Sequence, residues 1–248
     1  MSFDFHVNLG ESYDGTRQTA AELVERMDRL NIDMALACPF KPLSYNFDQA
    51  NADLAASIKN YPGRLVGAAR VDPWQPSSTE QLTRALVSHG FKAIFLNPWE
   101  ENFQIDAKCV DPILEIAEKR QVPVIIAAGY PWVSEALQIR DLAKRWQKVK
   151  IIMTNGGQIN ITGLGQADAT LAMRQAANLY LDTAGVYRED FIEETVQEFG
   201  AERVLFSSNS PYFDQRYEIK RILYANVSEN ERQAMLTGNA KRLLAMPA

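Results

Sequence analysis

Phe3-Asp4-Phe5-His6-Val7-Asn8 alternates apolar and polar residues, the pattern of a strand with two unlike faces. His6 and Asn8 lie two positions apart and therefore point the same way. Beyond this stretch the chain alternates strand-like and helix-like segments throughout. A turn-rich stretch, Gly10 to Gly15, precedes a capping box of Thr19 and Glu22, which opens a helix with Leu23, Val24, Met27 and Leu30 as its stripe. Met34 to Cys38 reads as the second strand, Asn46 to Asn60 as a helix and Leu65 to Val71 as the third strand. Ser77 and Glu80 form a predicted capping box for a helix running to Ser88, and Lys92 to Asn97 is the fourth strand. Asp106 is the predicted cap of a helix whose core face is Val110, Ile113, Leu114 and Ala117. Val122 to Ile126 is an unbroken apolar run, as in a strand buried on both faces.

The second half repeats the alternation. Pro131 to Trp146 reads as a helix, Val149 to Thr154 as the sixth strand, and Gly156 to Gly165 as a loop holding Gly157 and Gly163. Leu179 to Thr183 is the seventh strand, Phe191 to Phe199 a helix capped by Gly200, and Val204 to Ser207 the eighth strand. Ser228 and Glu231 open the last helix. Eight short strands separated by helices imply parallel pairing and right-handed crossovers. The expected fold is α/β, a closed (β/α)8 TIM barrel formed by residues 1–248 as a single domain, since such barrels take about 250 residues. An open doubly wound sheet would carry a glycine fingerprint after the first strand, which Gly10 to Gly15 does not match.

Composition narrows the function. The net charge of −5 and 46% hydrophobic content suit a globular protein without the basic surface that nucleic acids require. Cys38 and Cys109, the two cysteines, follow no disulfide pattern and point to a reducing cytoplasm. The first strand starts at once, so no signal peptide is expected. No apolar run approaches the roughly 20 residues of a membrane span.

Several stretches in order, among them Asp4-Phe5-His6-Val7-Asn8-Leu9-Gly10, Tyr61-Pro62-Gly63-Arg64-Leu65-Val66-Gly67, Pro123-Val124-Ile125-Ile126-Ala127-Ala128-Gly129, Asn178-Leu179-Tyr180-Leu181-Asp182-Thr183 and Val204-Leu205-Phe206-Ser207-Ser208-Asn209-Ser210-Pro211, together resemble the amidohydrolase-related (amidohydrolase 2) family. That family includes aminocarboxymuconate-semialdehyde decarboxylase. The resemblance implies a metal-dependent-hydrolase-like barrel with its site at the C-terminal strand ends. It places the family's metal ligands on His6 and Asn8, on Ala127, on Thr154 and on Asn209. His6 alone keeps the family's residue. Asn8 and Asn209 offer neutral amide oxygens, Ala127 offers no donor, and Asn209 cannot accept a proton near neutrality. The other histidine, His89, falls before Gly90 on the opposite rim. No metal and no other cofactor is therefore expected.

Each candidate has two readings. His6 is a general base or donor, or a relic held by a carbonyl. Asn8, Thr154 and Asn209 form a ligand-binding floor, or satisfy one another. Arg70 clamps a carboxylate, or pairs with Asp72 across the strand end. Asp182 is the remaining acid–base carboxylate, or caps a turn. Asn97 and Trp99, with Glu100, Glu101 and Phe103, shape the loop over the fourth strand as lid or as solvated surface. Tyr212, with Tyr130, Trp132 and Phe213, walls a pocket or makes a subunit contact in a homodimer. The glycine loop lacks the lysine of a phosphate loop and reads as a connector. Three functions follow: a metal-independent hydrolase or decarboxylase-type lyase acting on a small carboxylated molecule through His6, Asp182 and Arg70; a non-catalytic ligand- or partner-binding barrel; or a metal hydrolase with atypical ligands, which the ligand count opposes. Neither nucleic acid nor a membrane is an expected partner.

Overall fold

The computed structural model describes residues 1–159, 164–186, 188 and 190–247. Eight parallel strands run in sequence order: β1 (Phe3–Glu11), β2 (Met34–Pro39), β3 (Leu65–Arg70), β4 (Ala93–Leu96), β5 (Val124–Ile126), β6 (Ile151–Met153), β7 (Leu179–Asp182) and β8 (Val204–Leu205). Beyond β8 the chain bonds back to β1. Phe5 N donates to Phe206 O (2.9 Å), Asn209 N to His6 O (2.9 Å) and Asn8 N to Ser210 O (2.8 Å). These bonds close the sheet into the expected barrel. Gly10 to Gly15 proves to be the bend of a hairpin, because Arg17–Gln18 pairs antiparallel with the end of β1.

The longer helices are α1 (Ala20–Leu30), α2 (Phe47–Ile58), α3 (Ser78–Val87), α4 (Asp111–Arg120), α5 (Ala136–Arg145), α6 (Leu164–Gln175), α7 (Phe191–Phe199) and α8 (Gln215–Tyr224), with short helices at Pro98–Glu101, Glu229–Gln233 and Asn239–Leu243. Leu23, Met27, Ile113, Leu114, Ile139 and Leu142 of this layer pack with Val124, Ile126, Ile151 and Met153 of the strands. Each such burial contributes about 1.5–3 kcal/mol. A second core fills the barrel, with Phe3, Phe5, Leu36, Phe95, Ile125, Ile152, Tyr180 and Leu205. Among the described residues no helix is long and apolar enough to cross a membrane.

Strict alternation in β1 would put Phe3, Phe5 and Val7 on one face. The register differs: Phe3 and Asp4 pair with Met34 and Ala35, whereas Val7 and Asn8 pair with Ala37 and Cys38. β1 thus takes three steps from Asp4 to Val7 against two in β2, which is a β-bulge, and the extra residue flips the side-chain parity. Phe3 and Phe5 fill the barrel below, while Val7 and Leu9 join the helix layer. His6 and Asn8 are thereby left facing the barrel mouth.

Other local expectations divide. The Thr19–Glu22 and Ser228–Glu231 capping boxes form. Ser77 sits at the start of α3 but makes no box with Glu80. Its hydroxyl accepts instead from Gln81 Nε2 at 2.8 Å. Asp106 caps nothing, because a 3-10 turn, Lys108–Val110, comes before α4. α5 opens at Glu135, not Pro131, since Trp132 adopts a left-handed φ of 67° that no helix tolerates. Gly163 lies outside the described residues.

Gly67 of β3 shows how tightly strand and helix layers meet. A Cβ there would lie 2.3 Å from two ring carbons of Phe91. Gly67→Ala is expected to cost about 1–3 kcal/mol, as overpacking does, read from the urea midpoint. An unchanged midpoint would mean that Phe91 yields freely.

Candidate functional site

Period-two geometry carries the barrel-filling positions upward to the C-terminal rim. Ala68 leads to Arg70, Phe95 to Asn97, Ile125 to Ala127 and Ile152 to Thr154. With His6, Asn8 and Asn209 these residues line a cavity of about 480 Å³. Trp99, Tyr130, Tyr212 and Phe40 form its aromatic walls. Eight of the nine sequence-selected site residues meet here: His6, Asn8, Arg70, Asn97, Trp99, Thr154, Asn209 and Tyr212.

His6 is 3% exposed. Its ring centroid lies 4.9 Å from that of Phe95. Neither ring nitrogen has a hydrogen-bond partner among the described residues. Burial, opposed by the neighbouring Asn8 side chain and aided by the Arg70 charge, pushes its pKa down to about 4, so the resting imidazole is neutral. A neutral imidazole presents one N–H donor and one acceptor nitrogen, and neither is hydrogen-bonded to a described residue.

Asn8 Nδ2 donates to Asn209 Oδ1 at 2.8 Å. The floor amides therefore do satisfy each other in part. Thr154 Oγ1 accepts from Ala128 N at 3.1 Å. Asn97 caps the single-turn helix Pro98–Glu101, its Oδ1 accepting from Glu100 N at 3.2 Å. Trp99 is 54% exposed and stacks on Tyr130, with centroids 5.4 Å apart and planes 14° apart. Tyr212 packs edge-on against Phe40 at 5.7 Å and shares a 3.4 Å hydrogen bond with Ser12 Oγ. Among the described residues these rings wall the opening without filling it.

Arg70 does not pair with Asp72, whose Oδ1 accepts from Trp74 N at 2.9 Å. Arg70 Nη2 donates instead to Glu100 and, at 2.6 Å, to Glu101. The turn Pro98–Glu101 folds both carboxylates back over the strand end. Trp74 Nε1 donates to Asn102 O at 3.2 Å and holds that turn. Sequence spacing favoured Asp72 because it is near in the chain; β4 brings the glutamates nearer in space.

Asp182 departs from expectation. It does not line the cavity. Its Oδ1 accepts from Asn155 N (2.7 Å) and Ala184 N (3.2 Å), leaving Oδ2 without a partner among the described residues. Burial raises its pKa to about 7 against the pull of those donors. The acid–base pairing of His6 with Asp182 is therefore not made. Asp182 positions Asn155, which does line the cavity. Gln158 is the residue that sequence reading passed over. It is buried, lines the cavity, and its Nε2 has no partner among the described residues. Its signal was an amide side chain directly after two glycines, Gly156 and Gly157. His89 lies before β4 at the opposite rim and packs against Phe91 at 5.8 Å. Among the described residues no group of three or more His, Cys, Asp or Glu could hold a metal ion.

The amidohydrolase-2 family model, described as Amidohydrolase, matches residues 44–246. The chain belongs to this amidohydrolase family. No curated protein matches the sequence significantly. Among solved structures, this amidohydrolase resembles 5-carboxyvanillate decarboxylase LigW from Sphingomonas paucimobilis, with a TM-score of 0.81 at 15% identity over 99% of both chains. It also resembles a 2,6-dihydroxybenzoate decarboxylase complexed with 2,6-dihydroxybenzoate, with a TM-score of 0.80 at 17% identity over 99% of this chain and 98% of that one. A third neighbour is a dihydroxybenzoic acid decarboxylase from Polaromonas sp. JS666 with bound manganese and 2-nitroresorcinol, with a TM-score of 0.77 at 16% identity over 98% of this chain and 96% of that one. At these identities the likeness establishes the amidohydrolase barrel fold.

Proposed function

We propose that this amidohydrolase takes a small aromatic carboxylic acid into its barrel mouth and acts on it, as a lyase or hydrolase, without a divalent metal. His6 is the group that exchanges a proton with the ligand. The observation that carries this reading is the buried neutral imidazole, with both nitrogens unpartnered at the floor of an aromatic-walled cavity. Neighbouring folds named for aromatic acids supply the ligand class.

The family's ligand positions do not fit a catalytic divalent metal. Such a site needs about three strong ligands and an open position. Here one imidazole stands beside an alanine, a threonine whose hydroxyl accepts from Ala128 N, and an asparagine pair bonded to itself. No step is therefore drawn through a metal. In decarboxylation, the ring carbon bearing the carboxylate gains a proton, the C–C bond breaks with its electron pair left on the ring, and carbon dioxide leaves. His6, charged in turn by the proton that the reaction consumes, delivers it to that carbon. Trp99 and Tyr130 hold the ring plane, and the Asn8–Asn209 pair and Gln158 orient its polar groups.

Chelator-treated protein should release resorcinol from 2,6-dihydroxybenzoate, the acid bound in one neighbour, as followed by liquid chromatography. His6→Gln should lower kcat by about 100-fold or more, as loss of a positioned proton carrier does, with the thermal midpoint of the ligand-free protein little changed. Activity that appears only with added manganese would overturn the metal-free reading. A second reading, a non-catalytic binding barrel, is favoured by one observation: Asp182 is turned away and leaves His6 without an acid–base partner. Binding of the acid with no turnover would decide for it.

A further inference from the structure

We propose that a carboxylate enters this mouth only together with one proton, which Glu101 holds, so that the site selects an anion–proton pair over a bare anion. This rests on the carboxylic acid reading above. Arg70 is the one cation among the described residues that line the cavity, and Glu100 and Asp14 also line it. Its Nη2 donates to Glu100 and Glu101, and its Nη1 to Pro39 O at 3.3 Å. Among the described residues Nε alone of its nitrogens lacks a partner. Phe95 and Phe47 lie against the guanidinium at 5.3 and 6.0 Å. Arg70 thus already faces two carboxylates before any ligand arrives, with Lys41 as the second cation near Glu101.

A third carboxylate beside the same guanidinium would bring three negative charges against the two cations there, Arg70 and Lys41, and leave one uncompensated in a buried space. Like charges so close do not all stay ionised. Glu101 is the group built to take the proton. Its side chain is wholly buried, whereas Glu100 keeps some contact with solvent. Its Oε2 has no partner among the described residues, so it is free to carry a proton and donate it. The charged groups that face Glu101 are Arg70 of β3, Glu100 of its own turn and Lys41 of the loop after β2. Burial lifts Glu101 to about 7 while Arg70 pulls it down, so at neutrality the proton is near balance and an arriving anion tips it. His6, at the cavity floor, is pushed toward its neutral form as well, by burial and the Arg70 charge.

The carboxylate's affinity should therefore fall about tenfold per pH unit above about 7, as one linked proton requires. An uncharged ring should show no such fall. The test is calorimetric titration of chelator-treated protein with 2,6-dihydroxybenzoate and with resorcinol, in buffers of differing ionisation heat at about pH 8. Wild type is expected to take up close to one proton with the acid and none with resorcinol. Glu101→Gln should abolish the uptake and bind the acid about tenfold more tightly than wild type at that pH, because no proton has to be found there. His6→Gln should keep the uptake. Binding of the acid to wild type without proton uptake overturns the inference while leaving the carboxylic acid reading in place. Uptake that survives in Glu101→Gln but vanishes in His6→Gln also overturns it, assigning the proton to His6. Failure of the acid to bind any variant at any pH overturns both readings.

Discussion

Replacing Arg70 by methionine is expected to destabilise the protein by about 3–5 kcal/mol in mildly alkaline solution, the usual cost of stripping one partner from a buried ion pair. The side chain is 2% exposed, and Glu101 beneath it is fully buried. Methionine keeps the apolar contact with Phe47 and Phe95 while removing the charge. The loss should shrink near pH 5, and the sign follows from Glu101. Its folded pKa, about 7, lies above the ordinary 4.5. Such a group contributes stability below its unfolded value and loses it as pH rises toward its folded value. Without Arg70 the folded value climbs further. At pH about 5 the carboxyl keeps its proton and little is lost, whereas above about 7 it must ionise unpaired or hold its proton at a cost. Urea midpoints at both pH values read this directly. A penalty of equal size at the two would show that Arg70 acts through packing alone.

Asp4→Ala should cost about 3 kcal/mol or more. Asp4 leaves the barrel interior because of the bulge in β1, and its carboxylate accepts from Ser208 N (2.8 Å), Ser208 Oγ (2.5 Å) and Gln215 Nε2 (2.7 Å). Gln215 in turn accepts from Arg26 Nε at 3.3 Å. These bonds tie α8 and the segment after β8 to β1, at the seam where the barrel closes. Alanine would leave three buried donors without an acceptor, each worth about 1–3 kcal/mol. Asp4→Asn should lose less than half as much, since its amide oxygen still serves Ser208 N. Burial holds the Asp4 pKa up to about 6 despite these donors, so part of the native population binds a proton there near that pH. An alanine variant whose urea midpoint lies within about 1 kcal/mol of wild type would show that the seam is held by apolar packing.

Much of the architecture was readable from local order. Alternating strands and helices implied parallel pairing, and strand parity set His6 and Asn8 on one face, because side-chain direction repeats every two residues whatever lies across the barrel. The Thr19 and Ser228 caps were equally local. The site's polar wiring was not. Asp182 had the right parity for a catalytic acid, yet Asn155 N, 27 residues away in the chain, reaches its carboxylate first. Gln158 gave no periodic signal, and only the fold of its loop brings its amide to the cavity.

By itself the sequence determined the kind of barrel, the rim that carries the site, and the residue types offered there: one histidine among amides, at the positions where the family resemblance puts metal ligands. Tertiary structure decided which of those groups are left unpartnered and which are already occupied. An extra residue in β1 turned Asp4 outward to the seam and His6 inward to the cavity. The turn after β4 gave Arg70 two glutamates, where the chain alone suggested Asp72. Local geometry is set by neighbours in sequence, whereas hydrogen-bond and charge partners are set by whichever loops the closing barrel brings within about 3 Å.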